Sequence, residues 1–381
     1  MRNHFRIRGR SPENGRRVRH ADRRQGIPSR WHARLRRGIS LLEVLFAVFI
    51  LSMGMLGLGA LIPVANFQVS QGLRADHSSA CARAAFRILE ARGLLDSRNW
   101  RNVDGDPPSF ISGGNAQWPT FMLDPMFIAR GGEGTYPVSG GLTPTMGRLT
   151  LPGMKFDADT DVRRQAIARA ESIFRWRDDL PGGSKGERPV LIAGNGDNSI
   201  SAHEGSYSWM AMVTPSPLES TVAAKIGAAA TKRMTYNVAV IVFYKRDLAP
   251  AAAGKEADHN VQQLWPASFN PATLTLTFDV TGGMTDLKIV PGQWIMLSHR
   301  INNGTGVNNS MPYHRWYRVV SAGNRYRATG SGANIPLHVQ LEGPPWPDNA
   351  LLASADLPTV TVHQGVVGVY ERTIEFDPSI Q

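Results

Sequence analysis

Between Ile39 and Val64 lie 26 mostly apolar residues holding a single charged side chain, the carboxylate of Glu43. As a helix rising about 1.5 Å per residue the stretch is roughly 39 Å long, enough to cross a hydrocarbon core of about 30 Å with some tilt. A secretory signal has an apolar region of about 7 to 15 residues ending in a small-residue cleavage site, and this stretch is too long for one. A plain signal anchor fits the length but has no use for Glu43. An acid within a membrane span costs roughly 2.5 to 3.5 kcal/mol on insertion scales, so it marks a function and calls for a partner.

Charge divides the chain at the same place. Residues 1–38 contain 13 Arg against Glu13 and Asp22, a net of +11, and the whole chain, with 42 basic and 31 acidic residues, is also +11. Everything after residue 38 therefore balances at 29 against 29. The basic character belongs to the arm alone, so it gives no ground for a nucleic-acid partner of the remainder. An Arg-rich block before an apolar span sets topology instead, with the amino terminus cytoplasmic and the rest exported.

Arg36-Arg37-Gly38-Ile39-Ser40-Leu41-Leu42-Glu43-Val44 resembles the class III signal of type IV prepilins and type II secretion pseudopilins. The resemblance covers residues 34–64, and Leu41-Leu42-Glu43-Val44-Leu45 is most like minor subunits of the V type in pili and the I type in secretion systems. It implies that prepilin peptidase cuts between Gly38 and Ile39, that Ile39 becomes the N-methylated first residue, and that Glu43 is the family's glutamate at mature position five, used in subunit assembly. The 38-residue leader is longer than is usual in that family. The implied partners are prepilin peptidase, other pilin or pseudopilin subunits, the inner-membrane assembly platform and membrane lipid; nucleic acid is not among them. The implied location is the inner (cytoplasmic) membrane as a single-pass protein, then a periplasmic or extracellular filament.

Physical reasoning about Glu43 leads the same way. Cleavage creates an amine on Ile39 one turn from the carboxylate, at a helix start where the dipole favours the acid and disfavours the amine. Glu43 of one copy pairing with the Ile39 amine of the next settles both charges and fixes the register between subunits. Gly54, Gly57, Gly59 and Ser52 let helices approach closely in lipid. Pro63 weakens the helix, and in pilins similar to this chain the corresponding stretch can partly unwind in the filament.

Beyond Pro63 the pattern predicts an amphipathic continuation from about Asn66 to Leu95, with Val69, Leu73, Ala80, Ala84 and Ile88 on the packed face and Gly93 as the stop. The expected domains are a leader (1–38), a transmembrane half-helix (39–64), an amphipathic half-helix (65–97) and a β-rich exported region (98–381), with a flexible division near 249–257. The fold class is α+β: a long N-terminal helix packed on a mostly antiparallel β-rich region. Strands are expected over Tyr207–Val213, Tyr236–Tyr244, Leu274–Val280, Trp294–Leu297, Trp316–Val320, Leu337–Leu341 and Val360–Tyr370, and a helix over Thr160–Trp176 capped by Asp159 or Thr160.

Chemistry-bearing motifs in the exported region are weak. Gly182-Gly183-Ser184-Lys185-Gly186 spells a nucleophile elbow but has Pro181 before it and no helix after it. Asp157, Asp159 and Asp161 open like a calcium loop, but Val162 stands where the turn glycine belongs and Ala168 where the bidentate acid belongs. Gly194–Asn198 is a turn cluster without a dinucleotide fingerprint. His299, His314, His338 and His363 lack zinc spacing. Cys81, the single cysteine, allows no internal disulfide and suits a helix core. Trp265, Trp294, Trp316 and Trp346 suit a β-domain core or a binding face, and Tyr313–Arg318 is the best candidate for an exposed stacking surface. The expectation is a subunit of assembly with no catalytic residue, cofactor or metal. Two alternatives stay open: a membrane-anchored exported enzyme or ligand-binding protein, signalled by a convergent catalytic cluster, and a DNA- or cargo-binding tip subunit, signalled by an exposed basic and aromatic groove.

Overall fold

The computed structural model describes residues 40–108, 120–136, 145–176, 206–215, 234–246, 248, 261–280, 289–302, 310–323, 335–347 and 357–376. The leader with Gly38 and Ile39, the loop 182–186, the turn cluster 194–198 and the stretch 249–257 lie outside them. Two compact units divide the chain, Met1–Val64 and Ala65–Gln381.

Helix α1 runs from Leu41 to Ala91 with Pro63 inside it and is one uninterrupted α-helix. It ends as Gly93 predicts. Gly93 has φ +58°, the Leu94 amide donates to the Leu89 carbonyl at 3.0 Å and the Gly93 amide to the Glu90 carbonyl at 3.2 Å. That pair of bonds is a Schellman stop, in which a left-handed residue satisfies carbonyls the helix leaves open.

In the second unit this helix lies on a six-stranded sheet, and the buried face differs from the expected one. Ser78, Cys81, Ala82, Ala85 and Leu89 are the buried positions, whereas Val69 and Leu73 are 61% and 54% exposed and Ala80, Ala84 and Ile88 are half-buried. The stripe is rotated by one residue because small side chains bring the helix axis close to a sheet. Ala80 and Ala84 are chemically the same as Ala82 and Ala85 beside them, so composition does not tell the two faces apart.

The six-stranded sheet has the order β13-β5-β4-β1-β3-β2. Its members are β1 (Phe121–Leu123), β2 (Thr135–Tyr136), β3 (Met146–Leu149), β4 (Tyr207–Pro215), β5 (Met234–Tyr244) and β13 (Val366–Phe376). All pairings are antiparallel except β1 with β3. The short helix α2 (Pro125–Ile128) follows β1, and α3 (Thr160–Phe174) follows β3. Alternation assigns the faces. Tyr207, Trp209, Ala211 and Val213 of β4, with Tyr236, Val238, Val240 and Val242 of β5, pack with α1 and with Ile167, Ala170 and Phe174 of α3. Met210, Met212, Ile241 and Phe243 point the other way, into a second core shared with Met296 and Trp316 of the second sheet.

That second sheet contains β6 (Val261–Leu264), β7 (Ser268–Asn270), β8 (Thr275–Val280), β9 (Trp294–Asn302), β10 (Ser310–Ala322), β11 (Ile335–Glu342) and β12 (Thr359–His363), in the order β6-β12-β9-β10-β11-β8-β7. Its edge strands β6 and β7 are joined by only Trp265, Pro266 and Ala267. Laid flat, seven strands would hold their edges roughly 29 Å apart, while the steps from Leu264 to Ser268 reach at most about 14 Å. The sheet is therefore rolled, and Leu276, Phe278, Ile295, Leu297, Tyr317, Val339 and Val360 fill it with a core of their own.

The expected single strand Val360–Tyr370 is two. Gly365, at φ +82°, turns the chain between β12 of the rolled sheet and β13, which returns to the first sheet beside β5. The helix expected to reach Trp176 ends at Phe174, because Arg175 leaves it to bridge Ser208 on β4. Asp159 is its cap, accepting from the Asp161 and Val162 amides. The α+β expectation holds: a long N-terminal helix on mostly antiparallel sheets.

Candidate assembly site

The candidate site is the start of α1. Ser40 stands at the cap position, its carbonyl accepting from the Glu43 amide at 2.9 Å and the Val44 amide at 3.2 Å. Leu41 is the first helical residue, which puts Glu43 third, where the unpaired amide ends of the first turn favour a carboxylate. Ser40-x-x-Glu43 is also the spacing of a capping box. This local signal was open to a reader of the sequence, and a carboxylate suits that position of the first turn whether or not a neighbour is present. Among the described residues Glu43 has no ion-pair partner.

Downstream, α1 is long and apolar enough to cross a membrane once. Every large apolar side chain from Leu41 to Val64 is between 50% and 79% exposed. At positions 54, 57 and 59, the three glycines, nothing beyond the helix's own nearby backbone comes within 4 Å of where a Cβ would stand, so the helix is open to a close neighbour at each of them. Ser52 returns its hydroxyl to the Val48 carbonyl at 2.8 Å.

The β-rich region gathers buried ionisable groups in one place. Asp124 and Arg246 form a two-armed pair at 2.8 and 2.6 Å. Arg148 lies 3.8 Å from the Phe127 ring centre and 4.9 Å from that of Tyr136, and the Tyr136 hydroxyl is 3.0 Å from His363 Nδ1. Burial pushes the Asp124 carboxyl up, but the charge and hydrogen bonds of Arg246, with Arg148 behind it, outweigh that and hold it below the ordinary carboxylate value. Burial, then the charges of Arg246 and Arg148, push the His363 imidazole well down. Asp124, Arg148, Tyr136 and His363 are each no more than 1% exposed, so these groups face one another and not solvent.

The remaining sequence candidates are used structurally. Asp157 accepts from the Asp159 amide at 2.9 Å, Asp159 from the Asp161 amide at 2.8 Å, and Asp161 pairs with Arg164 at 3.2 Å. The three carboxylates shape the start of α3 instead of converging on an ion. His314 sits between the sheets with Nδ1 2.8 Å from the Ser298 hydroxyl, and burial pushes its pKa down to about 3. His338 meets the Thr277 hydroxyl at 3.1 Å and His299 the Arg300 carbonyl at 2.7 Å. Among the described residues no group of three or more His, Cys, Asp or Glu could hold a metal ion.

The stacking surface proposed for Tyr313–Arg318 does not form. Tyr313, Trp316 and Tyr317 are 3%, 1% and 0% exposed, and Arg315 is engaged by the Tyr313 hydroxyl and by Glu371 at 2.6 Å. The alternation of a strand sends Tyr313 and Tyr317 into the core of the rolled sheet and Trp316 into the core between the sheets. Trp346 is buried as well, Trp294 is half-buried, and Trp265 is 58% exposed. Cys81 is buried in the α1 core. Compared with protein families, with curated proteins and with solved structures, the chain matches none.

Proposed function

We propose that this chain is a minor subunit of a type IV pilus or type II secretion pseudopilus. It enters the inner membrane with its amino terminus cytoplasmic, is cut after Gly38 by prepilin peptidase, is methylated on Ile39, and joins sibling subunits through α1. The work is assembly and not catalysis. One observation carries the reading: a membrane-length helix, uncovered on every side, bears a lone carboxylate in its first turn with no counter-charge among the described residues. The resemblance of residues 34–64 to the prepilin signal adds the processing step. Small residues at 52, 54, 57 and 59 suit close packing against other helices, and the β-rich region, large for a repeating shaft, suits a low-copy position.

The test separates the two uses of Glu43. Glu43→Gln keeps a residue that serves a capping box but removes the charge, and Glu43→Val removes both. Mass spectrometry of the parent should find methylated Ile39 as the first residue. Both variants should be cut normally yet be missing from sheared filaments. A prefix still attached in the native membrane, or Glu43→Gln entering filaments like the parent, overturns the proposal.

A further inference from the structure

A pocket of about 320 Å³ opens beside the first turns of α3, in the second unit. Buried Leu151 and Ala166 form its apolar floor together with Val162, and Arg101, Lys155 and Arg169 bring three positive charges to it. Among the described residues its one lining carboxylate is Asp157, which already accepts the Asp159 amide. Arg101 donates to the carbonyls of Arg98 and Trp100, both at 2.7 Å, Lys155 donates to the Asp104 carbonyl at 3.3 Å, and among the described residues none of the three forms an ion pair with a carboxylate.

The cationic side chains lie against backbone shaped for them. Gly105 and Gly153 have φ of +92° and +74°. A Cβ on Gly105 would stand 2.8 Å from Lys155 Cδ, and one on Gly153 would collide with the Arg169 guanidinium. Two turns that only glycine adopts readily thus bring the chain flush with Lys155 and Arg169, and both residues line the pocket. Like charges in a cleft with low-dielectric walls focus the potential there, and a bound anion relieves their mutual repulsion while accepting charge-assisted hydrogen bonds from the guanidinium fork.

We propose that this pocket binds a small organic anion, a phosphate monoester or carboxylate joined to one ring-sized apolar group. The anionic end meets Arg169, Lys155 and Arg101, and the apolar end covers Leu151, Val162 and Ala166. The volume is at the lower end of the range of about 300 to 1,000 Å³ for ligand pockets, which sets the size at a single small molecule. This site is independent of helix-mediated assembly and stands or falls without it.

The experiment is calorimetric titration of the full chain in a nonionic detergent with phenyl phosphate, inorganic phosphate and benzyl alcohol. Phenyl phosphate should bind saturably with one site and weaken as salt rises; inorganic phosphate should bind at least about tenfold more weakly, and benzyl alcohol not measurably. Arg169→Gln and Lys155→Gln should each weaken phenyl phosphate about tenfold, the scale of a lost charged hydrogen bond, with thermal melts unchanged. Arg318→Gln, exposed on β10, serves as the control and should bind like the parent. Phenyl phosphate that fails to bind, that binds no better than inorganic phosphate, or that is indifferent to both substitutions overturns the proposal.

Discussion

Along α1, the segment Leu41–Val64 carries Leu, Phe, Ile and Met on every side, each at least half exposed, while the buried positions from residue 78 onward are Ser78, Cys81, Ala82, Ala85 and Leu89, all at most 1% exposed. One continuous helix is thus written in two vocabularies. Where the partner is the chain's own sheet, small side chains sit in a narrow stripe and arginines such as Arg83 and Arg87 take the exposed positions, as an amphipathic helix requires. Where no partner exists within the described residues, the apolar surface is wide, unstriped and free of charge after Glu43. The first half leaves its apolar surface without a partner among the described residues, and the second half has its environment built in.

The widest separation between the halves should come from one substitution made in each. Leu89→Ala removes a fully buried side chain and should cost about 2 to 5 kcal/mol, the range for large-to-small changes in a core. Leu56→Ala, at a position 76% exposed, should stay within about 0.5 kcal/mol. Urea melts of the purified chain in detergent, followed by near-ultraviolet circular dichroism of the β-rich region, measure both. Equal losses would mean that the exposed half has a packed partner within the chain.

Acid should then strike the β-rich region and spare the apolar half-helix. His314 lies between the two sheets with its pKa pushed from 6.5 to about 3 by burial, and His363 shifts the same way. A histidine held neutral in the fold stabilises it fully above the unfolded value, and that contribution is lost as pH falls below 6.5, because the unfolded chain takes up the proton first. By pH 5 the loss from His314 should be about 2 kcal/mol, at about 1.4 kcal/mol per pH unit. Asp124, whose pKa is lowered, loses its contribution only below an unfolded value of about 3.9, so the interval from pH 7 to 5 isolates the histidines. Melts at the two pH values, repeated on His314→Gln to lessen the slope, provide the measurement; a flat profile in the parent would remove the imidazoles from the account.

Legibility in the sequence followed the physical size of the signal. The apolar span, the end of α1 at Gly93, helix α3 with its Asp159 cap, and the long strands β4, β5, β8 and β11 all carry periodicity or turn chemistry over several residues. The strands β1, β2, β3, β6 and β7, two to four residues each, are too short to show a period, and Phe121-Met122-Leu123 is buried on both faces, so it has no alternation to read. The rotated stripe on α1 was not legible because Ala80, Ala82, Ala84 and Ala85 are the same residue type and Ile88 stands beside Leu89, so neighbouring faces of the helix carry nearly the same pattern. Glu43 was legible as an anomaly, and its capping-box spacing lay in the same four residues. The pocket beside α3 was not, since Arg101, Lys155 and Arg169 are brought together by turns at Gly105 and Gly153 that leave no pattern in spacing.

One substitution should even change sign between the halves. Gly93→Ala forces a side chain into the left-handed conformation that closes α1 and should destabilise by about 1 kcal/mol. Gly57→Ala lies inside the helix with no atom within 4 Å of the new Cβ, and should strengthen the helix by roughly 0.5 to 1 kcal/mol. Helicity and melting of the two variants in detergent read the difference. A destabilising Gly57→Ala would show that this flank is already in contact within the single chain.

The smallest effect concerns the tie between Arg372 on β13 and Glu90 in the last turn of α1. Both side chains are 56% exposed, so water screens the attraction and the loss of side-chain freedom offsets much of it, leaving about 0.2 to 1 kcal/mol. Arg372 also lies 5.9 Å from the Phe86 ring centre, and its stem covers apolar surface that a charge-only argument ignores. Arg372→Ala should therefore destabilise slightly more than Glu90→Ala, and raising the salt concentration should shrink the Glu90→Ala effect more than the Arg372→Ala effect. Equal losses that vanish together in salt would show that the stem contributes nothing. The hold of the second half of α1 on its sheet would then owe nothing to apolar cover by Arg372.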